Sequence, residues 1–508
     1  MHQIIKLLLF IAIHALFVLN AYNCLYAQDA GSPDTGFADL GYLVVQVGDD
    51  FSWTRDMAVQ EDGKIILGGS SKSNGIVVFT MVRFNFDGTF DNSFGLGGIV
   101  QTQIGMQSGI DALVLQADGK IVAAGTTVTN SGIFDVSVAR YNIDGALDIT
   151  FGNSGVTTVN VENNFNVEGI AIQSNGKIVV SGYSGQELMP VGISHVRFNT
   201  DGSVDNTFGV DGLSIVKFQQ SHDVEAWSMT LDADDNILTA GAIYDLELMR
   251  FHIAVARFGS DGTLDNSFGD GGVLVTSFLD DDEFGNDIVV QPDGKILVVA
   301  SVTQGAILVR YNNDGSLDES FGSGARVTVS FNDGNTEVYS VLTQSDGKII
   351  VAGVSGTNAQ NTNGNYGLAR FHNDGTIDTG FGVNGSSVTD VSSGHNDVAF
   401  KLRLCPDGKI AASGVSYDGT HYNMSVARFF STSTGINPLK SNDLMVFPNP
   451  ADTYLTFLGD DDCFSTQPFE TSIYDRYGKI VGVYSLLNGE TPLQVSEIPN
   501  GVYLLKVK

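Results

Sequence analysis

Cysteine is nearly absent, with only Cys24, Cys405 and Cys463 in 508 residues, so no disulfide framework holds this chain. Proline is scarce at 10 residues and tryptophan scarcer at 2, against 60 glycines. That balance suits many short strands joined by tight turns. Basic residues are outnumbered 58 to 26, leaving a formal charge of -32. Such a surface repels phosphate backbones and anionic headgroups, which argues against nucleic acid as a partner and fits solubility outside the cell. After the N-terminus no apolar run is long enough for a transmembrane helix. The short signatures of catalysis are missing too: there is no Gly-x-Ser-x-Gly, no His-Glu-x-x-His and no phosphate loop. Disorder is excluded by 43% apolar and 17% charged residues.

What is present is a repeat. Asp-Gly-Lys-Ile stands at Asp62, Asp118, Asp293, Asp346 and Asp407, with degenerate copies at Asn175 and Asp234. The steps between first residues are 56, 57, 59, 59, 53 and 61, so the chain has seven similar units. Each copy lies between two apolar runs, such as Ala112-Leu113-Val114-Leu115 and Ile121-Val122-Ala123-Ala124, a hairpin pattern in which Gly accepts the positive φ of a tight turn.

A second phrase follows each hairpin, first as Arg83-Phe84-Asn85-Phe86-Asp87-Gly88-Thr89-Phe90-Asp91-Asn92-Ser93-Phe94-Gly95, and an alternating run such as Val156 to Val161 comes after it. One unit therefore reads as four strands: the run after Phe-Gly, the two hairpin arms, and the run ending at Arg83 or its equivalents Arg140, Arg197, Arg257, Arg310, Arg370 and Arg428. Four-stranded units at this period predict an all-β, seven-bladed β-propeller over residues 29–430. The last unit lacks a connector after Arg428, whereas Ser32 to Phe37 and the strand Tyr42 to Val47 read as its missing half. The N-terminus is thus expected to dock on the seventh blade and close the ring without a covalent bond.

Asp-Gly-Lys-Ile with Arg-Phe-x-x-Asp-Gly-x-Leu-Asp-x-x-Phe-Gly resembles the delta-60 repeat of bacterial secreted and surface proteins, a family that implies a fold and no defined activity. Residues 1–27, with Lys6, an apolar run from Leu7 to Leu19, and Ala27 before Gln28, have the layout of a secretory signal peptide. Residues 431–443 have linker composition. Residues 444–508 carry a new set of strands that suggests a small β-sandwich, immunoglobulin-like. They resemble the C-terminal sorting domain of the type IX secretion system of Bacteroidetes, through Phe447-Pro448-Asn449-Pro450, Tyr474 to Lys479 with Gly478, and Pro499-Asn500-Gly501-Val502-Tyr503. The resemblance implies type IX machinery as a partner, and release to the outside of the cell or display on its outer-membrane surface.

The connectors invite a calcium reading, but an EF-hand register places Arg83 and Phe94 where ligand oxygens belong. Scaffold roles fit better: Phe94, Phe151, Phe208, Phe268, Phe321 and Phe381 fill space between blades, and the repeated Arg pairs with an acidic group or main-chain carbonyls. No catalytic, cofactor or metal residues are assigned.

The function read here is an extracellular binding or adhesion module for a glycan or protein. The alternative is a hydrolase of polysaccharide or peptide. Connections alternate between the two faces of the disc, so the Asp-Gly-Lys-Ile turns and Phe-Gly connectors share one face. From Arg to the next hairpin Asp the spacing is 35 to 37, but from hairpin to Arg it runs from 17 to 24. The variable face is therefore expected to carry the ligand, through Trp53, His222, Trp227, Tyr244, Tyr339, Tyr366, His395, Tyr417, His421 and Tyr422.

Overall fold

The computed structural model describes residues 29–433 except 39, 130–131, 162–163, 187–188, 218–223, 280, 304, 332–334 and 357–363, and six strands beyond Ser433. Gln28–Ser433 is one compact unit. It comprises seven antiparallel four-stranded sheets, the blades of a propeller. Blade 1 consists of Ser52–Val59, Ile65–Ser73, Ile76–Phe84 and Ile99–Thr102, paired in that order.

The seven-blade count of the sequence reading holds, but its grouping of strands does not. The run after Phe-Gly is the outermost strand of the preceding blade, as the pairing Phe79↔Thr102 to Val82↔Ile99 shows, and not the first strand of the next. The hairpin arms therefore supply the innermost and second strands. Because connections still alternate, the two faces keep their assigned loops.

The ring closes as the split connector suggests. Tyr42–Val45 is the outer strand of blade 7, in register Tyr42↔Ala427 to Val45↔Met424. Every copy of the repeated phrase makes the same contacts. In blade 1, Arg83 Nε donates to Asp91 Oδ2 at 2.8 Å and the guanidinium lies 4.3 Å from the centre of the Phe94 ring. Its Nη1 donates to the carbonyl of Ile143 in blade 2 at 2.5 Å. The hairpin lysine serves the same carboxylate, with Lys64 Nζ 3.6 Å from Asp91. At the closure, Arg428 Nε donates to Asp34 Oδ2 at 2.6 Å, Lys409 Nζ is 2.9 Å from it, and Arg428 Nη1 reaches back to the carbonyl of Phe86 at 2.6 Å. Asp34 and Phe37 thus stand in for Asp91 and Phe94, although they come from the opposite end of the chain.

The Phe that ends each phrase, Phe94, Phe151, Phe208, Phe268, Phe321 or Phe381, is fully buried, as is Phe37. The Phe94 ring packs where the next blade turns at Gly145, which adopts φ +86° and has no room for a Cβ. Hydrophobic clusters run between neighbouring blades, for example Ile66, Phe79 and Met81 with Ile110, Leu113 and Ala123. Blade 4 departs from the pattern: its turn puts Asp235 at φ 61° and offers Asn236 where the others have lysine.

Beyond Ser433, Met445–Phe447, Tyr454–Leu458 and Leu493–Gln494 form one three-stranded sheet, and Ile480–Leu486, Phe469–Asp475 and Tyr503–Val507 form another. Residues 1–27, the linker 434–443, and Pro448, Asn449, Pro450, Gly478 and Gly501 lie outside the described residues.

Candidate functional site

The innermost strand of every blade lines the axial channel, and each carries a β-bulge at the same place. The register slips between Thr54 and Asp56 in blade 1, and between Ala399 and Lys401 in blade 7. The extra residue is Arg55, Asp111, Glu168, Trp227, Asn286, Tyr339 or Phe400 in blades 1 to 7. A bulge re-aims its side chain and leaves it outside the ladder pairing, so these seven form a rim free to differ. They are seven different residue types.

Below the rim lies a cavity of about 360 Å³, lined from all seven blades and including Glu168, Asp56, Asp287, Lys401 and Arg403. Most of this lower ring is satisfied internally. Asp56 accepts from Leu113 N at 2.9 Å and from Arg403 Nη2 at 2.7 Å, which ties blade 1 to blades 2 and 7. Asp287 accepts from Ser228 Oγ at 2.5 Å, Ser340 Oγ at 3.0 Å and Val341 N at 2.9 Å. These are scaffold contacts.

The rim itself divides in two. On blades 1 to 4 it is charged: Arg55 lies 4.0 Å from Asp111, followed by Glu168 and by Glu225, two residues before Trp227. Burial pushes the Glu168 carboxyl up to about 8; the opposing charges of Arg55 and Lys401 pull it back only in part, while Asp111 and Glu225 add to the rise. Glu168 makes no hydrogen bond or ion pair among the described residues. Burial also raises Asp111, despite Arg55 and the bond from Thr126 N.

From blade 4 round to blade 1, Asn286 and Arg55 apart, aromatic side chains gather at the rim. Trp227 stacks on Phe284 at 5.5 Å, Phe284 meets Phe251 at 5.0 Å, and Phe251 meets Tyr244 at 5.0 Å. Tyr339 and Phe400 touch edge to face at 5.4 Å. A second strip runs from Trp53 to Tyr422 at 5.8 Å, on to Tyr417 at 5.0 Å and to His395 at 6.1 Å.

Of the residues expected on the variable face, the structure gathers Trp227 and Tyr244 in one strip and Trp53, Tyr417, Tyr422 and His395 in the other, with Tyr339 between. His421 sits in the turn beside Tyr422, its N–H donating to Asp418 Oδ1. His222 lies outside the described residues. Tyr366 is a correction: it is fully buried, and its hydroxyl shares a 2.8 Å bond with Ser425 Oγ in the next blade. It is the second residue of the third strand of blade 6, Asn365–Phe371, where strand alternation turns it between blades and away from solvent. Sequence reasoning missed Arg55, Asp111, Glu168, Phe284 and Phe400. For Arg55, Asp111, Glu168 and Phe400 a signal was present: each stands seven positions before its hairpin Asp or equivalent, within an otherwise repetitive strand.

The fold is an all-β, seven-bladed propeller with an axial channel. The sequence match is to the family described as "Domain of unknown function (DUF5122) beta-propeller", over residues 60–94, 116–151, 173–208, 233–268, 291–321 and 344–381, and to the "Secretion system C-terminal sorting domain" over residues 445–508. The chain carries repeats of this β-propeller family and a type IX sorting domain, which marks it for the cell surface or the extracellular space. Blade 7 falls outside the matches, and it is the blade whose connector is split between the two ends of the propeller.

No curated protein matches the sequence. Among solved structures, PorZ of Porphyromonas gingivalis, titled an essential bacterial surface component of the type-IX secretion system, is 13% identical over 92% of this chain and 59% of its own, with TM-score 0.38. This chain therefore spans 59% of the length of that protein. A PL25 ulvan lyase is 10% identical over 80% of this chain and 95% of its own, with TM-score 0.43. An alpha-L-arabinanase from Penicillium chrysogenum is 10% identical over 62% and 91%, with TM-score 0.39. Likeness at this level concerns fold alone. Among the described residues no helix is long and apolar enough to cross a membrane, and no three His, Cys, Asp or Glu side chains are grouped to hold a metal ion.

Proposed function

We propose that the protein is an exported binding module that takes its ligand on the variable face, over the mouth of the axial channel. The observation that carries this reading is the division of labour between faces. The Asp-Gly-Lys-Ile and Phe-Gly side is occupied by repeated Arg–Asp–Lys contacts, whereas the rim on the other side has seven different residues and two aromatic strips. The test is a ligand array probed with the mature protein, followed by Trp227→Ala and Tyr417→Ala, against Lys120→Ala and Lys295→Ala on the opposite turns. Loss of binding from the lysine changes alone would put the site on the wrong face. Residues 1–27 are read as a leader, and 444–508 as the export signal. Deletion of 444–508 should hold the protein inside its host's outer membrane.

A second reading, a hydrolase of polysaccharide or peptide, draws on Glu168, which keeps its proton at neutral pH beside Asp111 and Glu225. Substrate cleavage that Glu168→Gln abolishes would favour it over simple binding.

A further inference from the structure

Resting on the variable-face reading, we propose that the channel mouth binds an oligosaccharide without acidic groups, laid across the rim from the Trp227–Phe284 strip to the Trp53–Tyr422 strip. Three features of the rim specify that ligand. The first is the split character of the rim. A sugar ring has an apolar face of C–H groups and an edge of hydroxyls, and the rim offers aromatic side chains on blades 4 to 7 and 1, with polar groups on blades 1 to 4.

The second is that the two aromatic strips are separate. Trp227 belongs to blade 4 and Trp53 to blade 1, with Tyr339 and Phe400 of blades 6 and 7 between them along the rim. Trp53 is 38% exposed. An extended chain of several rings spans such an arrangement, while a single ring engages one strip only. The cavity below the rim, about 360 Å³, sits at the small end of the range for ligand pockets.

The third is charge. Arg55 is the basic group of the rim and already faces Asp111 at 4.0 Å, while Lys401 lies below, 3.6 Å from Asp287. Against them stand Asp111 and Glu225, within a chain of formal charge -32. A uronate or sulfated chain would meet repulsion over this mouth, whereas hydroxyls or amines find acceptors, with Glu168 the carboxyl that no described residue engages.

The experiment uses the mature protein and three hexamers of similar length: a neutral β-1,4-glucan, its amine-bearing glucosamine counterpart, and a polyuronate. Calorimetric titration should show binding of the neutral or the amine-bearing hexamer, with the matching dimer weaker by about tenfold or more, and no binding of the polyuronate. Trp227→Ala and Trp53→Ala should each weaken hexamer binding by about tenfold, and Glu168→Gln should weaken it while circular dichroism stays unchanged. Equal or tighter polyuronate binding, hexamer affinity unaffected by either Trp change, or no binding of any hexamer would overturn the proposal. If a protein or other array ligand is bound instead, and Trp227→Ala abolishes that binding, the saccharide is refuted but the variable face stands. If no ligand depends on Trp227 or Tyr417, both fail. Equal competition by oligolysine, undisturbed by the two Trp changes, would assign the carboxylates to a basic peptide and refute the saccharide.

Discussion

Removing one carboxylate, Asp34, should open the ring. Its Oδ2 accepts from Arg428 Nε at 2.6 Å and forms ion pairs with Arg428 Nη2 at 2.6 Å and Lys409 Nζ at 2.9 Å, and Asp34 and Arg428 are both buried. Burial by itself would raise the Asp34 pKa, yet Lys409 and Arg428 hold it below the ordinary carboxylate value, so the pair is ionised at neutral pH. In Asp34→Ala the buried Arg428 loses its anion while Lys409 keeps Asp407, and breaking a buried pair in this way costs about 3–5 kcal/mol. The matching change Asp91→Ala removes the same contacts in blade 1, where the connector is covalently continuous. Both variants should lose stability in guanidinium titrations. Only Asp34→Ala should also speed amide exchange along Tyr422–Phe429, because Tyr42–Val45 is held there by strand pairing and by this clasp. A loss below about 1 kcal/mol, or equal protection of that strand in the two variants, would refute the role of Asp34 in closure.

Stability should depend on pH at both ends of the range. Against burial, bonds from Ser93 and the charges of Arg83 and Lys64 depress the Asp91 carboxyl to about 2, and Asp148, Asp205 and Asp318 are likewise lowered. Groups with a depressed folded pKa stabilise above their unfolded value, so this contribution is full above about pH 4 and should fade as pH falls toward 2, seen as a declining melting temperature. Glu168 behaves oppositely: with its folded pKa raised to about 8, its contribution is present below about 4.5 and lost as pH rises through 8. Glu168→Gln should therefore gain on the parent between those values, and parallel stability curves would refute this assignment. In blade 4, Asn236→Lys should supply the missing partner of Asp265, whose side chain is 26% exposed. A gain of up to about 1 kcal/mol is expected in denaturant titrations, and a loss of that size would show that the bond from Asn236 to Asp232 matters more.

The sequence by itself determined the scaffold, because the scaffold rests on short-range chemistry repeated seven times. Gly63 and its equivalents need positive φ, Thr89 closes on Asp87, and Arg83 meets Asp91 eight residues on. The split of one connector between Asp34 and Arg428 made closure legible as well. Where a blade begins was not legible, since a cyclic repeat has no privileged start and only the hydrogen bonds from Phe79 to Thr102 show that the fourth strand faces backward. Tertiary structure also decided the rim. The repeat puts Arg55, Glu168 and Trp227 at one register position, but only the bulges and the closed ring bring them into the channel together. The same holds for Trp53 and Tyr422, which meet only because the ring closes, and for Tyr366, whose place in its strand directs it into the core.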